Sequence, residues 1–183
     1  MDVLVDTKTI SSGLAFGTAT GYTSLSSGSR HIQIEPSGTG TPVIDETLSL
    51  GSGSDITVLL ANFAATLNAV TLLDNNSAPS SGTGNVRIVN AAPSLGPADA
   101  YLAPDGTDIN TVAPVLSGLA FEGATGYSSV NAGTYRVWFT APGQKFIFID
   151  SGPITVNSGQ VRTVVGMNTA DGSYTSAVLP DLN

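Results

Sequence analysis

The chain has 183 residues and no cysteine, and its 14 Asp and Glu residues outnumber six Lys and Arg, giving a net charge of −8. The missing cysteine excludes disulfides and thiolate metal sites. The acidic balance and the scattered basic residues argue against binding to nucleic acid. A hydrophobic fraction of 41% supplies enough apolar side chains for folded cores, which excludes wholesale disorder.

An internal repeat is the most informative feature of the chain. Residues 12–30 (SGLAFGTATGYTSLSSGSR) match residues 117–135 (SGLAFEGATGYSSVNAGTY) without a gap, and eleven of the nineteen positions are identical. Weaker similarity continues downstream, where Thr57-Val58-Leu59 aligns with Thr163-Val164-Val165. The two matching segments begin 105 residues apart, at Ser12 and Ser117, and a repeat period of this length is too long for a solenoid. We therefore predict two domains in tandem.

The predicted domains are residues 1–76 and 85–183, and the Pro-, Gly- and Ser-rich residues 77–84 form a linker. The second copy opens with a predicted strand, NVRIVNAAP, that has no counterpart in the first copy, which begins at the following strand. We therefore expect the first domain to lack its initial strand. Either the chain is cut short at this point, or the resulting open edge accepts a strand from another chain.

Short alternations of apolar and polar residues recur about every ten residues along both copies, with turn residues between them. In the first copy Ile32 and Ile34 are predicted to face a core. In the second copy Val137 and Phe139 take the same positions, and Trp138 lies on the opposite face. No long amphipathic helix is indicated. The fold class that this pattern predicts is all-β, with two tandem antiparallel Ig-like β-sandwiches.

The sequence contains no recognisable catalytic constellation. His31 is the only histidine, it lies in the middle of a predicted strand, and the equivalent residue of the second copy is Arg136. No G-x-S-x-G motif accompanies the histidine. Asp150-Ser151-Gly152 superficially resembles an aspartic protease motif, but that chemistry needs two aspartates sharing a proton in a much larger fold. We predict that the protein is not an enzyme and needs no cofactor.

Metal binding has weak support. One histidine and no cysteine argue against zinc. Asp105, Asp108 and Asn110 lie in one loop and could provide oxygen ligands for calcium, although their spacing differs from an EF-hand and an Asp-Gly turn needs no metal. We predict no metal site and retain these three residues as the candidates for one.

Three aromatic residues are of interest. Trp138 shares a face with Arg136, so the two are the candidates for contacting a sugar ring or a protein partner. The alternative is that Trp138 packs beneath a loop or against the other domain. Tyr22 and Tyr127 are equivalent residues, and their recurrence indicates a structural role, such as a buried ring whose hydroxyl bonds the backbone.

Several motifs of the second copy together resemble a known family. They are VRIVNAAP (residues 86–93), ADAY (98–101), SGLAF (117–121), GY (126–127) and AGTY (132–135). The family is the bacterial domain-of-unknown-function family 4397, found in secreted and surface-anchored proteins and often in tandem. The resemblance covers nearly all of the second copy, and the first copy from its second strand onward. It implies an Ig-like sandwich and an exported location, and it implies no activity.

The sequence thus predicts a non-catalytic extracellular or cell-surface module with a structural or adhesive role. The alternatives are a carbohydrate- or ligand-binding module that uses an exposed aromatic, and an assembly subunit completed by strand donation. The expected partners are a protein, a glycan or a further copy of the chain, and no membrane span is expected. Since Met1 leads directly into a predicted strand, we expect any export signal to lie upstream of this sequence.

Overall fold

A computed structural model describes residues 1–179 and 181 of the chain. The chain forms two compact units, Met1–Asp74 and Asn75–Asn183, which we call unit 1 and unit 2. Residues 180, 182 and 183, the end of the predicted second domain, lie outside the described residues. The two units are built from β-strands, and the all-β prediction is confirmed. In the described range, no helix has the length and apolar character needed to cross a membrane.

Unit 1 contains six strands in two sheets. The strands are β1 Asp2–Val5, β2 Lys8–Ser11, β3 Gly28–Glu35, β4 Ile44–Leu50, β5 Asp55–Ala61 and β6 Asn68–Asp74, with a 3-10 turn at Ala64–Thr66. The first four strands form an antiparallel sheet in the order β2-β1-β3-β4, while β5 and β6 form a separate antiparallel pair. The core lies between these two layers. It contains Val5, Ile32, Ile34 and Ile44, with Leu60 of β5 and Ala69 of β6 packed against them.

Unit 2 contains nine strands. They are β7 Thr83–Ala91, β8 Ala98–Pro104, β9 Leu116–Leu119, β10 Ser128–Asn131, β11 Gly133–Thr140, β12 Ile147–Asp150, β13 Ile154–Val156, β14 Val161–Asn168 and β15 Tyr174–Leu179, with a 3-10 turn at Ile109–Thr111. One sheet has the order β10-β7-β14-β15, and the other has the order β12-β11-β8-β9, with β13 also paired to β11. Most pairs are antiparallel, but β7 and β14 run parallel.

The core of unit 2 is formed by residues from both sheets, which makes this unit a β-sandwich. Val86 and Ile88 of β7 pack against Val137 and Phe139 of β11, and Val164 of β14 belongs to the same cluster. The predicted core residues of both copies, Ile32 and Ile34 in unit 1 and Val137 and Phe139 in unit 2, are all buried. The alternation of apolar and polar residues therefore identified the core face of β3 in unit 1 and of β11 in unit 2 correctly.

The sequence repeat is also a repeat of strand register. Gln33 of β3 pairs with Asp45 of β4, and Trp138 of β11 pairs with Asp150 of β12, 105 residues later in both cases. Similarly, Thr57 of β5 pairs with Leu72 of β6, as Thr163 of β14 pairs with Leu179 of β15. The strands of unit 1 thus have counterparts in unit 2, whereas β7 and β10 of unit 2 have no counterpart in unit 1.

Candidate functional site

In unit 2, strand β14 has a neighbour on each side. β15 pairs with one edge and β7 with the other, in a parallel register that runs from Val161 opposite Asn85 to Met167 opposite Ala91. β10 then pairs with the far edge of β7. β14 is deeply buried: Val164 belongs to the core of the sandwich, and Val161 and Val165 on the other face of the strand are also inaccessible to solvent.

In unit 1, the equivalent strand β5 pairs with β6 alone, and no other strand of residues 1–74 occupies its second edge. Residues 55–60 are only half-buried, and Ala61 alone in this strand is buried. Residues 23–26, which align with β10, form no strand. Leu25 in this segment is 40% exposed, whereas the equivalent Val130 packs against the core of unit 2. Taken by itself, unit 1 therefore has one edge of β5, called its open edge, that is not paired with a strand, where unit 2 contains β7.

In unit 2, a polar cluster that contains an arginine lies where β7 pairs with β14. Arg87 of β7 is 3% exposed, and its Nε donates a hydrogen bond to Thr163 Oγ1 at 3.1 Å. Its guanidinium lies 4.9 Å from the centre of the Tyr127 ring, within range of a cation–π contact. Thr163 Oγ1 in turn donates to Asp181 Oδ1 at 3.4 Å. The cluster ties β7 to β14 and to the segment that follows β15.

The same residue types form a cluster in unit 1. Tyr22, Thr57 and Asp74 stand at the positions of Tyr127, Thr163 and Asp181. The Tyr22 hydroxyl and the Thr57 hydroxyl each donate to Asp74 Oδ2 at 2.7 Å. Asp74 is buried, so its carboxylate needs these donors. The structural role predicted for the two tyrosines fits these contacts, but Tyr22 bonds a carboxylate where a backbone partner was expected.

His31, the sole histidine, belongs to a cross-strand pair. Its Nε2 lies 2.5 Å from Asp45 Oδ1, and Gln33 Nε2 donates to Asp45 Oδ2 at 3.1 Å. The hydrogen bond from His31, followed by that from Gln33, lowers the pKa of the Asp45 carboxyl. The equivalent pair in unit 2 is Arg136 with Asp150, where Arg136 Nη1 donates to Asp150 Oδ2 at 2.8 Å. His31 thus stands where unit 2 uses an arginine for the same cross-strand contact.

The three calcium candidates make other contacts in the structure. Asp105 pairs with the guanidinium of Arg136, which raises the pKa of that guanidinium. Asp108 Oδ1 accepts hydrogen bonds from the backbone and side-chain nitrogens of Asn110, both at 2.9 Å, and caps the 3-10 turn. Within the described residues, no group of three or more His, Asp or Glu side chains is placed to hold a metal ion.

Trp138 does not lie on the surface, so the expectation of an exposed aromatic at this position is wrong. It is 4% exposed and packs with Tyr101, Ala103 and Ile109, and Val112 borders the same cluster. The residues between β8 and β9, eight of which have no counterpart in the first copy, cover this face. Lys145 holds these covering residues in place, because its Nζ donates hydrogen bonds to the carbonyls of Ile109 at 2.8 Å and Val112 at 2.6 Å. The alternative prediction, a tryptophan packed beneath a loop, is confirmed.

The aromatic residues that do reach solvent in unit 2 are Phe146 and Phe148, which the sequence analysis did not select. Phe146 is 72% exposed and meets Phe148 edge-on, with ring centres 5.2 Å apart. Phe148 meets Tyr174 in the same way at 5.6 Å. β12 is the edge strand of its sheet, and one side of the apolar run around Ile147 lies in solvent.

Comparison with known proteins identifies a family. The family described as domain of unknown function (DUF4397) matches residues 1–101, which include all of unit 1, strand β7 and the start of β8. No curated protein matches the chain. Since the match covers more than half of the 183 residues, the chain belongs to the DUF4397 family.

Proposed function

We propose that this chain is a non-catalytic structural or adhesive module of an exported, cell-surface protein, and that it assembles through the open strand edge of unit 1. The edge of β5 is the observation that carries this proposal. An unpaired strand edge presents a row of backbone N–H and C=O groups that another strand can bond.

Several common protective features are missing from β5. Natural edge strands are commonly blunted by lysine, proline or a bulge. β5 (DITVLLA) contains neither lysine nor proline, and its pairing with β6 continues from Asp55 to Ala61 without a shift in register. Its half-buried apolar side chains add a hydrophobic contribution to any strand that covers them. These features support an edge that is used for assembly.

The contacts of the most reactive polar side chains support a structural role. His31 and Asp150, the residues first considered for catalysis, belong to cross-strand pairs that recur at the same register in both units. Residues that recur as pairs in two copies of a module are expected to stabilise that module. The low content of charged residues, 11%, is in keeping with an extracellular β-protein.

Light scattering of the full chain over a range of concentrations tests the assembly proposal. We expect the mass to rise from that of a monomer to that of a dimer as the concentration increases, because the β5 edges of two molecules pair. Leu59 lies on the face of β5 opposite the core, so Leu59→Lys adds a charge at the edge and is expected to keep the chain monomeric. Leu73→Lys is the matched control, because Leu73 on β6 is already 72% exposed. A wild-type chain that stays monomeric at every concentration contradicts self-assembly.

Ligand binding through exposed aromatics is the second candidate, supported by the row of Phe146, Phe148 and Tyr174. Such a row can stack on sugar rings. Affinity electrophoresis in gels containing soluble polysaccharides tests it. Phe146→Ser is expected to abolish any retardation, while Phe63→Ser, at an exposed phenylalanine of unit 1, leaves it unchanged. Absence of retardation for the wild-type chain in all polysaccharides tested contradicts this candidate.

A further inference from the structure

We propose that Glu46 prevents the edge strand β4 of unit 1 from pairing with β4 of a second copy of the chain. β4 is the last strand of its four-stranded sheet, so the backbone N–H and C=O groups along one of its edges are not bonded by a strand of residues 1–74. This edge is distinct from the open edge of β5, and Glu46 gives it the opposite property.

The backbone of β4 is well suited to strand addition. The strand extends over seven residues, Ile44–Leu50, and pairs with β3 along this whole length without a shift in register. It contains neither lysine nor proline. The carboxylate of Asp45 on its outer face is already engaged by His31 and Gln33. In these respects β4 offers an edge as regular as that of β5.

Glu46 is a charged residue in the row of β4 that faces the core. Because side chains alternate between the two faces of a strand, Ile44, Glu46 and Leu48 point in the same direction. Ile44 belongs to the core of unit 1, and Leu48 packs against it. Glu46 lies opposite the buried Ile32 of β3, yet it is exposed to solvent. It makes no hydrogen bond or ion pair with any residue that the structure describes. A solvated carboxylate therefore interrupts the apolar row of this edge strand.

A second β4 strand would remove water from this carboxylate. When two β4 strands pair antiparallel, their core-facing rows lie side by side, with neighbouring side chains about 5 Å apart. Glu46 would then lie beside an apolar side chain of the other strand or beside its glutamate. The first arrangement buries an unpaired charge and the second brings two like charges together, and both are unfavourable. Inward-pointing charges are one of the means by which natural edge strands avoid pairing.

Unit 2 has a different form of protection at the equivalent edge. The residue at the position of Glu46 is Ser151, 105 residues later, which carries no charge. Here the edge is divided into two short strands, β12 of four residues and β13 of three. Between them Gly152 has a φ of +68°, and Pro153 has no backbone N–H to donate. The divided edge of unit 2 thus lacks the charge, and the continuous edge of unit 1 carries it.

The test introduces Glu46→Val into a chain whose β5 edge is blocked by Leu59→Lys. We expect Leu59→Lys alone to sediment as a monomer in analytical ultracentrifugation, and the double variant to form a dimer. The Kd of self-association should fall by at least about tenfold, because the buried, unpaired charge is removed. Glu46→Gln keeps the size of the side chain and removes its charge, and is expected to have an intermediate effect. The matched control is Thr47→Val, at the next residue of β4, which is exposed on the other face and should leave the mass unchanged.

Amide hydrogen exchange locates the new interface. In the dimer of the double variant, the amides of β4 that point away from β3 are expected to become protected, and the ring signals of His31 show whether unit 1 keeps its fold. Association no stronger than that of the parent Leu59→Lys chain overturns the inference, as does equal association of Thr47→Val. If Glu46→Val fails to fold, Glu46→Gln decides by the same criterion. Association of Leu59→Lys itself contradicts the proposed role of β5, and the comparison of Glu46→Val with that parent still decides the role of Glu46.

Discussion

β5 of unit 1 and β14 of unit 2 have related sequences and equivalent antiparallel partners, but they differ in burial. β14 is covered on both edges, and its valines are fully buried, whereas β5 is covered on one edge and stays half-exposed over most of its length. The two strands also differ in their pairing: β7 pairs with the second edge of β14 in unit 2, and it has no counterpart among residues 1–74. Strands with the same sequence pattern can therefore differ in burial and in the number of strands paired with them.

The opposite sheet shows a second difference. In unit 2 the residues around Ile109 cover Trp138 and form a small second core. In unit 1 the equivalent position is Gln33, which takes part in the polar network of His31 and Asp45 on the outer face of the sheet. A tryptophan and its covering loop occur together in one unit and are both missing from the other. The insertion and the apolar face that it covers form one structural feature.

The largest expected difference in unfolding free energy between the units comes from truncating equivalent valines of β14 and β5. Val164→Ala in β14 is expected to cost about 2 kcal/mol of unfolding free energy, because it leaves a cavity in a closed core. Val58→Ala in β5 is expected to cost less than about 1 kcal/mol, because solvent already reaches the site. Urea unfolding separates the two. The single tryptophan, Trp138, reports on unit 2, and the ring signals of the single histidine, His31, report on unit 1.

Equal costs for the two valine variants would contradict the comparison, since they would mean that β5 is as well covered as β14. Ile34→Val and Phe139→Leu serve as controls on the opposite sheet. Both side chains are fully buried in their own unit, so each truncation is expected to lower stability in the unit that contains it.

Substitution of the equivalent threonines of β14 and β5 is expected to give the next largest difference in unfolding free energy between the two units. Thr163→Val removes the oxygen that accepts from the buried Arg87, and is expected to destabilise unit 2 by about 1 to 2 kcal/mol. Thr57→Val leaves Asp74 with the hydrogen bond from Tyr22, so a smaller loss is expected in unit 1. Thermal unfolding followed by Trp138 fluorescence and by the His31 signals measures both. A larger loss for Thr57→Val would contradict the role assigned to Arg87.

The variant Lys145→Met tests the second difference, between the sheet face that carries Trp138 in unit 2 and the face that carries Gln33 in unit 1. The variant removes two hydrogen bonds to the loop that covers Trp138, and also the contact of the ammonium with the Tyr101 ring, 4.5 Å from its centre. We expect a loss of about 1 kcal/mol and a red shift of tryptophan emission as the cover loosens. Lys8→Met, on an exposed strand of unit 1, is the control and should leave the emission unchanged. Unaltered emission in Lys145→Met would show that the loop is held by its apolar contacts.

Low pH is expected to reduce the stability of unit 1 more than that of unit 2. This is the smallest of the expected differences between the units. Hydrogen bonds lower the pKa of three aspartates of unit 1 below 3.8: from Ser37 to Asp2, from the His31 backbone to Asp6, and from the His31 ring to Asp45. A lowered pKa in the folded state contributes stability above the unfolded pKa, and that stability is lost as the pH falls through the folded pKa.

In unit 2, the Thr169 hydroxyl lowers the pKa of Asp171 in the same direction. We therefore expect the melting temperature of unit 1 to fall between about pH 5 and about pH 2 by more than that of unit 2. Circular dichroism together with Trp138 fluorescence follows the two transitions. Asp45→Asn should remove part of the pH dependence of unit 1, and an unchanged profile in this variant would contradict the contribution of Asp45.

The sequence predicted the fold class and the core of the two equivalent strands, because alternation at Ile32, Ile34, Val137 and Phe139 is a local signal. The repeat itself indicated that NVRIVNAAP has no counterpart in the first copy. The sequence did not predict the position of Trp138, because its burial depends on a loop whose path is set by distant contacts, among them those of Lys145. The parallel direction of β7 was not predictable either, since apolar alternation carries no information on strand direction.

Amide hydrogen exchange of the full chain at low concentration tests the central claim, that β5 has an open edge and β14 does not, most directly. The account predicts that alternate amides of β5, those directed away from β6, exchange orders of magnitude faster than their neighbours, while the amides of β14 are protected along the whole strand. Uniform protection of β5 in the monomer, equal to that of β14, would show that this edge is already covered, and would contradict the assembly proposal.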